Sequence, residues 1–395
     1  MGHPHVPILA GGEQVVMRIV LFTGSLATGG AERQFALLAG ELVKRGHEVH
    51  FLTMESRSDN PDYLELLRDV EHHVLHDWRW PGPLRLIQLL GMWRSVRREL
   101  KQFNADVVYS ALEWPNWLAA RAVAGMSKRP VCVAGIRNSS EIMSWKRRLP
   151  ITLLAKQGHL DGLIANSRAG LEESHRIGMK SACEQVISNG IDSTRFGPNP
   201  DAREKMRSEL DVPSGSLLLG HVGRISPMKD HETLLRGFAL VLKSISEARL
   251  VCVGDGPKTI RDQLRSLASQ LGVESRIRWI SRESRMSSLY AALDVLVMSS
   301  RDGEGFPNVV CEAMACETPC VVTDVGEASN IVGDTGRTIP IGNPDALARE
   351  VVHLNDEKGM GILARRRIED HFSVENMVSR TDAMLQNVME SSRRS

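Results

Sequence analysis

Several things are missing from this 395-residue chain, and each absence excludes a class of protein. No stretch approaches the roughly 18 consecutive apolar residues of a membrane span, and residues 1–16 have neither the basic nor the apolar region of a secretory signal. A cytoplasmic protein is expected. Charge of one sign is not in excess: the formal net charge is +1, which argues against a nucleic-acid-binding surface over the whole molecule and leaves only local basic patches. The six cysteines, Cys132, Cys183, Cys252, Cys311, Cys316 and Cys320, form no CxxC and have no histidine companions at zinc spacing. Neither a disulfide framework nor a cysteine metal site is expected, so the thiols should be free and mostly buried. Solenoid repeats and low-complexity tracts are also absent.

What is present is ordinary globular composition, 42% hydrophobic and 25% charged, at a length that suggests two domains. Residues 1–16 read as an extension, because the first regular strand, "RIVLFTG", follows Met17. That strand leads to Gly29 and Gly30, then to a helix whose Phe35, Leu38, Ala39 and Leu42 fall at i, i+3, i+4 and i+7 and which stops at Gly46. "HEVHFLT", "ADVVYS", "PVCVAGI" and "DGLIANS" continue the series. A second series, "LLLGHVG", "ARLVCVG", "RIRWIS", "DVLVMS" and "PCVVTD", begins after the irregular stretch 188–201. Alternation of strands with helices predicts parallel sheets covered on both faces. The expected class is therefore α/β: two facing Rossmann-like, doubly wound domains, 17–195 and 196–372, with a central cleft. A last helix, 373–395 with Ser373 as its cap, is expected to pack back across the domains. Ligands of such sheets bind beyond the C-terminal ends of the strands.

Two strand ends carry the chemistry. In "GHVGRISPMKDHETLL" Arg224 lies in the turn, and Lys229 precedes a helix capped by Asp230. A guanidinium fork and a point charge beside a helix start suit neighbouring phosphates. Taken alone, the pair also describes solvated surface charge. In "RDGEGFPNVVCEAM" Gly303 and Gly305 allow a tight turn, Pro307 suits a first helical turn, and the N–H groups near Asn308 and Val309 face an anion. Glu304 and Glu312 flank that helix start. Near cations both should be ionised acceptors, and a carboxylate that accepts from vicinal hydroxyls holds a sugar. Glu304 on a hexose and Glu312 on a ribose, either side of a pyrophosphate, is the order of groups in a nucleotide sugar. The bland alternative has Glu304 capping the helix and Glu312 solvated on its surface.

The spaced glutamates of "EGFPNVVCEAMACETPCVVTDVGEASNIV", with "GRISPMKD", "VGDGP" and "TGGAERQ", make the chain resemble a glycosyltransferase of family 4 with the GT-B fold, over nearly its whole length from Met17. The resemblance implies transfer of a sugar from a nucleotide-diphosphate donor with retention, usually without a metal ion, so neither cofactor nor metal is expected. It implies that Arg224 and Lys229 neutralise the leaving diphosphate. Glu304 and the backbone of Gly305, Phe306 and Asn308 would position the donor sugar, Val309 would lie beside them, and Glu312 would hold the ribose. Gly29 and Gly30 would let the first domain approach the donor, and backbone near Ser281 and Arg282 would hold the base. UDP-sugars are the first expectation and GDP-mannose the second. One departure concerns the acceptor side. Many relatives have a histidine where "ADVVYSALEWPNW" offers Tyr109, Ser110, Glu113 and Trp114.

The acceptor is expected to be a glycan or lipid-linked group, in cell-surface polysaccharide or glycolipid synthesis. Residues 84–103 set Leu86, Leu89, Leu90, Trp93, Val96, Leu100 and Phe103 against Arg94, Arg97, Arg98 and Lys101, and "SWKRRLP" adds a second basic cluster. Such faces can meet anionic lipid, although an ordinary core-facing helix gives the first pattern equally well. A sugar-nucleotide epimerase, a phosphorylase or a catalytically inactive nucleotide-sugar-binding subunit would use the same fold.

Overall fold

A computed structural model describes residues 15–26, 29–55, 61–75, 84–137 and 160–394. "SWKRRLP" lies outside the described residues. The first sheet contains β1 (Arg18–Thr23), β2 (Glu48–Thr53), β3 (Glu71–Val74), β4 (Val107–Ala111), β5 (Val131–Ile136), β6 (Gly162–Ala165) and β7 (Cys183–Val186). The second contains β8 (Leu218–Val222), β9 (Arg249–Val253), β10 (Ile277–Ile280), β11 (Val295–Met298), β12 (Cys320–Thr323) and β13 (Arg337–Ile339). All recorded pairings between these strands are parallel, in the orders β3-β2-β1-β4-β5-β6-β7 and β10-β9-β8-β11-β12-β13. This is a pair of Rossmann-like sheets in the GT-B arrangement. Sequence reading missed β3, β7 and β13, all edge strands.

The central strands form because they are apolar on both faces, as a sheet covered by helices requires. Every residue of β4 and of β11 is buried. Helix 30–44 places Phe35, Leu38, Ala39 and Leu42 at 0–1% exposure. Each of its large apolar side chains contributes roughly 1.5–3 kcal/mol by leaving water. The helix ends where Gly46 takes φ +86, a left-handed conformation that glycine adopts without a Cβ penalty.

Strand order reverses between β1 and β4 in the first sheet and between β8 and β11 in the second. These are the switch points at which α/β sheets open a crevice. The loops that leave them carry Gly29 and Gly30, Leu112, Arg224, and Glu304. The final helix, Val374–Arg394, buries Met377, Val378, Leu385 and Val388 in the core of the first domain. It reaches that domain after Ser373 bridges to Ile191. Gly162 makes room for it, since a Cβ there would lie 3.0 Å from Val388 Cγ2.

All six cysteines are free, and five of them are buried. No helix of the described residues is long and apolar enough to cross a membrane.

Candidate active site between the two domains

Two loops of the second domain brace one another. Asp230, the cap of helix 231–244, accepts from Thr233 N–H at 3.2 Å and pairs with Arg301 Nε at 2.8 Å. Arg301 N–H donates to Met228 O at 2.8 Å, and Ser299 Oγ donates to Lys229 O at 3.0 Å. This bracing delivers Lys229 Nζ to Glu304 Oε1, which also accepts from Ser300 Oγ at 2.6 Å. Lys229 and Glu304 are therefore brought together, with side chains only 12% and 9% exposed.

Gly303 has φ +72, the left-handed turn expected of it. Gly305 serves a different purpose. Its φ is not positive; a Cβ there would sit 3.2 Å from Arg137 O and Asn166 Oδ1 of the first domain. Gly326, with φ +61, supports the same loop, and a Cβ on it would lie 2.2 Å from Glu304 O. Phe306 is buried against Phe372, ring centroids 5.6 Å apart, so only its backbone is available to a ligand.

Pro307 is the cap residue rather than a residue within the first turn: helix Asn308–Ala315 starts after it, with no side-chain cap. The bland alternative therefore fails to describe Glu304, whose carboxylate is held by Lys229 and Ser300. It fails for Glu312 as well, because Glu312 is only 9% exposed. Glu312 accepts from Arg33 Nη1 at 2.7 Å and from Tyr290 O–H at 3.0 Å. The cation beside Glu312 is thus Arg33 of the first domain, a residue that sequence reading did not single out. Burial raises the Glu312 pKa, against the lowering effects of Arg33 and Tyr290.

The described part of "TGGAERQ", from Gly29 onward, finds its place here. Gly29 caps helix 30–44 with no side-chain bond. Gly30 approaches the second domain so closely that a Cβ would be 2.7 Å from Asn308 Nδ2. Asn308 Oδ1 in turn accepts from Asn189 Nδ2 at 2.8 Å. Arg33 crosses to Glu312, and Gln34 donates to Gly190 O at 2.9 Å while accepting from Gly190 N–H at 3.1 Å. Two helix starts without side-chain caps consequently meet at the cleft. Each presents N–H groups and the positive end of a helix dipole.

Arg224 and Arg282 are exposed and make no hydrogen bond or ion pair with a described residue. Val309 is half-buried in the first turn of helix 308–315. A cavity of about 570 Å³ lies against β10, lined by Ser281, Trp279, Glu209 and Arg285 among others. Lys229, Glu304 and Glu312 do not line it, although Ser281 does.

On the acceptor side Tyr109 is fully buried and accepts from Arg137 Nη2 at 2.6 Å. Ser110 donates to Asn116 Oδ1 at 2.8 Å. Both are used internally. Leu112 then takes φ +75, a strained value for a residue with a Cβ, and turns the chain into Glu113 and Trp114. His221 is packed at 1% exposure, with Nδ1 3.0 Å from Val297 O.

Residues 28–195 match the family described as Glycosyltransferase Family 4, and residues 216–357 match that described as Glycosyl transferases group 1. The chain belongs to glycosyltransferase family 4. N-acetyl-alpha-D-glucosaminyl L-malate synthase of Bacillus anthracis is 24% identical over 89% of this family 4 chain and 92% of its own length. A D-inositol 3-phosphate glycosyltransferase of Corynebacterium glutamicum is 25% identical over 85% of each chain. Among solved structures, Anabaena HepE in complex with UDP and glucose superposes with a TM-score of 0.80 at 23% identity, covering 94% of this chain and all of its own. That likeness establishes the GT-B fold.

Proposed function

We propose that this family 4 protein is a retaining glycosyltransferase that takes a sugar from a nucleotide-diphosphate donor, a UDP-sugar before GDP-mannose. The acceptor is a glycan or lipid-linked group in cell-surface polysaccharide or glycolipid synthesis. The observation that carries this reading is the meeting of two helix starts without side-chain caps, at Gly29-Gly30 and at Pro307-Asn308, beside the Lys229–Glu304 pair. UDP and glucose are named for the Anabaena structure, which supports ranking UDP-sugars first.

In this reading Lys229 and Arg224 take up the charge of the leaving diphosphate, helped by N–H groups of both helix starts. Fixed cations and dipoles aimed where charge develops stabilise the transition state more than the ground state. Lys229 turns from Glu304 toward phosphate, freeing Glu304 to accept from the donor sugar. Glu312 accepts from the ribose, and backbone near Ser281 and Arg282 meets the base. The departing phosphate oxygen accepts the acceptor's proton on the same face, so the proposal needs no protein base and no metal ion. Glu113 and Trp114, beyond the strained Leu112, are the acceptor-side candidates. Contact with anionic membrane rests on Arg94, Arg98 and Lys101, which are exposed. Arg97 is not part of it, because it donates to the Ala122 and Ala124 carbonyls.

The test is turnover of UDP- and GDP-sugars with and without a panel of acceptors, in the presence of chelator, with the anomeric configuration of any product read by NMR. Acceptor-dependent release of nucleotide and a retained configuration are expected. Conversion of donor without acceptor would mean an epimerase, and binding without turnover a catalytically inactive subunit.

A further inference from the structure

We propose that the first domain holds a transition-metal ion at His50, Glu71 and His73, on the edge of its sheet. His50 lies on β2 directly opposite Glu71 on β3 in the parallel register. His73, two residues on from Glu71, falls on the same face of the strand. One ligand atom from each of the three lies within 4.8 Å of the other two. His73 Nε2 is 2.9 Å and His50 Nε2 is 3.8 Å from Glu71 Oε1.

His50 is the independent sign that this cluster serves a ligand. It is 6% exposed, and neither ring nitrogen has a hydrogen-bond partner. A buried polar group with no partner calls for an explanation, and Nε2 is aimed at the Glu71 carboxylate. The other nitrogen of His73, Nδ1, faces Glu99 Oε2 at 3.6 Å. A carboxylate behind a ligating imidazole orients the ring and raises its basicity.

Two imidazoles and one carboxylate select a borderline dication of the zinc, cobalt or nickel type over magnesium or calcium, with water completing the shell. The ion would tie the short, polar edge strand β3 to β2 and, through Glu99, to helix 84–102. His50 is the third residue of its strand, whereas the cleft lies beyond the C-terminal strand ends. The site is therefore a structural clamp and takes no part in sugar transfer.

The test uses the full-length protein stripped with chelator and titrated with Co²⁺ and Zn²⁺, following visible absorption and calorimetry. Wild type is expected to bind one Co²⁺ displaceable by Zn²⁺, with the intense absorption of low-coordinate cobalt. His50→Ala and Glu71→Gln should each weaken binding by about tenfold or more. The Glu71 side chain is 63% exposed, so that variant keeps its fold if His50→Ala does not. Absence of Co²⁺ binding by wild type would overturn the proposal. So would affinity unchanged in Glu71→Gln and His73→Ala, as expected if the ion sat instead on His3 and His5.

Discussion

Replacing Arg33 by alanine removes the cation that contacts Glu312 across the cleft. The two side chains are 15% and 11% exposed, so the pair is close to fully buried. Removing one partner of a buried pair leaves an uncompensated charge and costs about 3–5 kcal/mol. Residual solvent access places Arg33→Ala near the lower bound, roughly 3 kcal/mol at pH 8. The loss of guanidinium stacking over Phe196, 5.1 Å from the ring centroid, lies within that figure. The deficit should depend on pH in a definite direction. Burial already raises the Glu312 pKa, and without Arg33 the charge of Arg195 and the Tyr290 hydroxyl are left to oppose it. A folded pKa above the unfolded value of roughly 4.3 means that the penalty grows as pH rises through that window and disappears below it. Urea unfolding at pH 8 and pH 5 should show the deficit shrinking by more than half. Glu312→Gln added to Arg33→Ala should recover most of it at pH 8. A loss that is independent of pH, or that adds simply with Glu312→Gln, would refute the claim that these residues are coupled.

Arg224→Ala should leave stability within about 0.5 kcal/mol of wild type, as for surface substitutions. It should weaken nucleotide-sugar binding by about 1.5–3 kcal/mol, the range for hydrogen bonds to charged groups, as read by calorimetry. Gly326→Ala combines a left-handed φ with a Cβ 2.2 Å from Glu304 O, and should lower kcat/KM at least about tenfold through displacement of Glu304. Gly342→Ala, with φ +68 and nothing within 4 Å, should cost only about 1–2 kcal/mol of backbone strain and leave kinetics unchanged. Burial lowers the pKa of His231 to about 4. The unfolded chain, with a pKa of roughly 6.5, therefore takes up the proton first, and stability present above that pH should fall by roughly 3 kcal/mol as pH drops to 4. His231→Gln should flatten this slope in acid unfolding, and an unchanged slope would assign it to other groups.

The inner strands were legible because burial on both faces demands continuous β-branched runs. β3, β7 and β13 were not, since "EHHV", "CEQV" and "RTI" sit at sheet edges, where polar residues are tolerated. At the site, glycine and proline at a strand end made Glu304, Glu312 and Asn308 readable. Arg33 was not, because its partner is 279 positions away in the other domain. The available signal was a charged residue one turn inside a helix that opens with two glycines. Tyr290 was not singled out, and its hydroxyl acquires meaning only when helix 308–315 lies beside it. Gly305 was singled out as a turn residue, yet its lack of a side chain matters for how closely the domains approach. The basic face of helix 84–102 looked uniform in sequence, although Arg97 is spent on two backbone carbonyls.

The central claim is that Glu304, Glu312 and the flanking cations form a nucleotide-sugar donor site. A thermal-shift panel of UDP-, GDP- and ADP-sugars on wild type, Glu312→Ala and Arg224→Ala tests it most directly. A ligand at ~100 times its Kd stabilises the folded state by about 2.7 kcal/mol. One nucleotide class should raise the wild-type melting temperature and raise it clearly less in both variants. If no sugar nucleotide shifts the folded wild type at saturating concentration, or if both variants respond as wild type does, the donor site lies elsewhere.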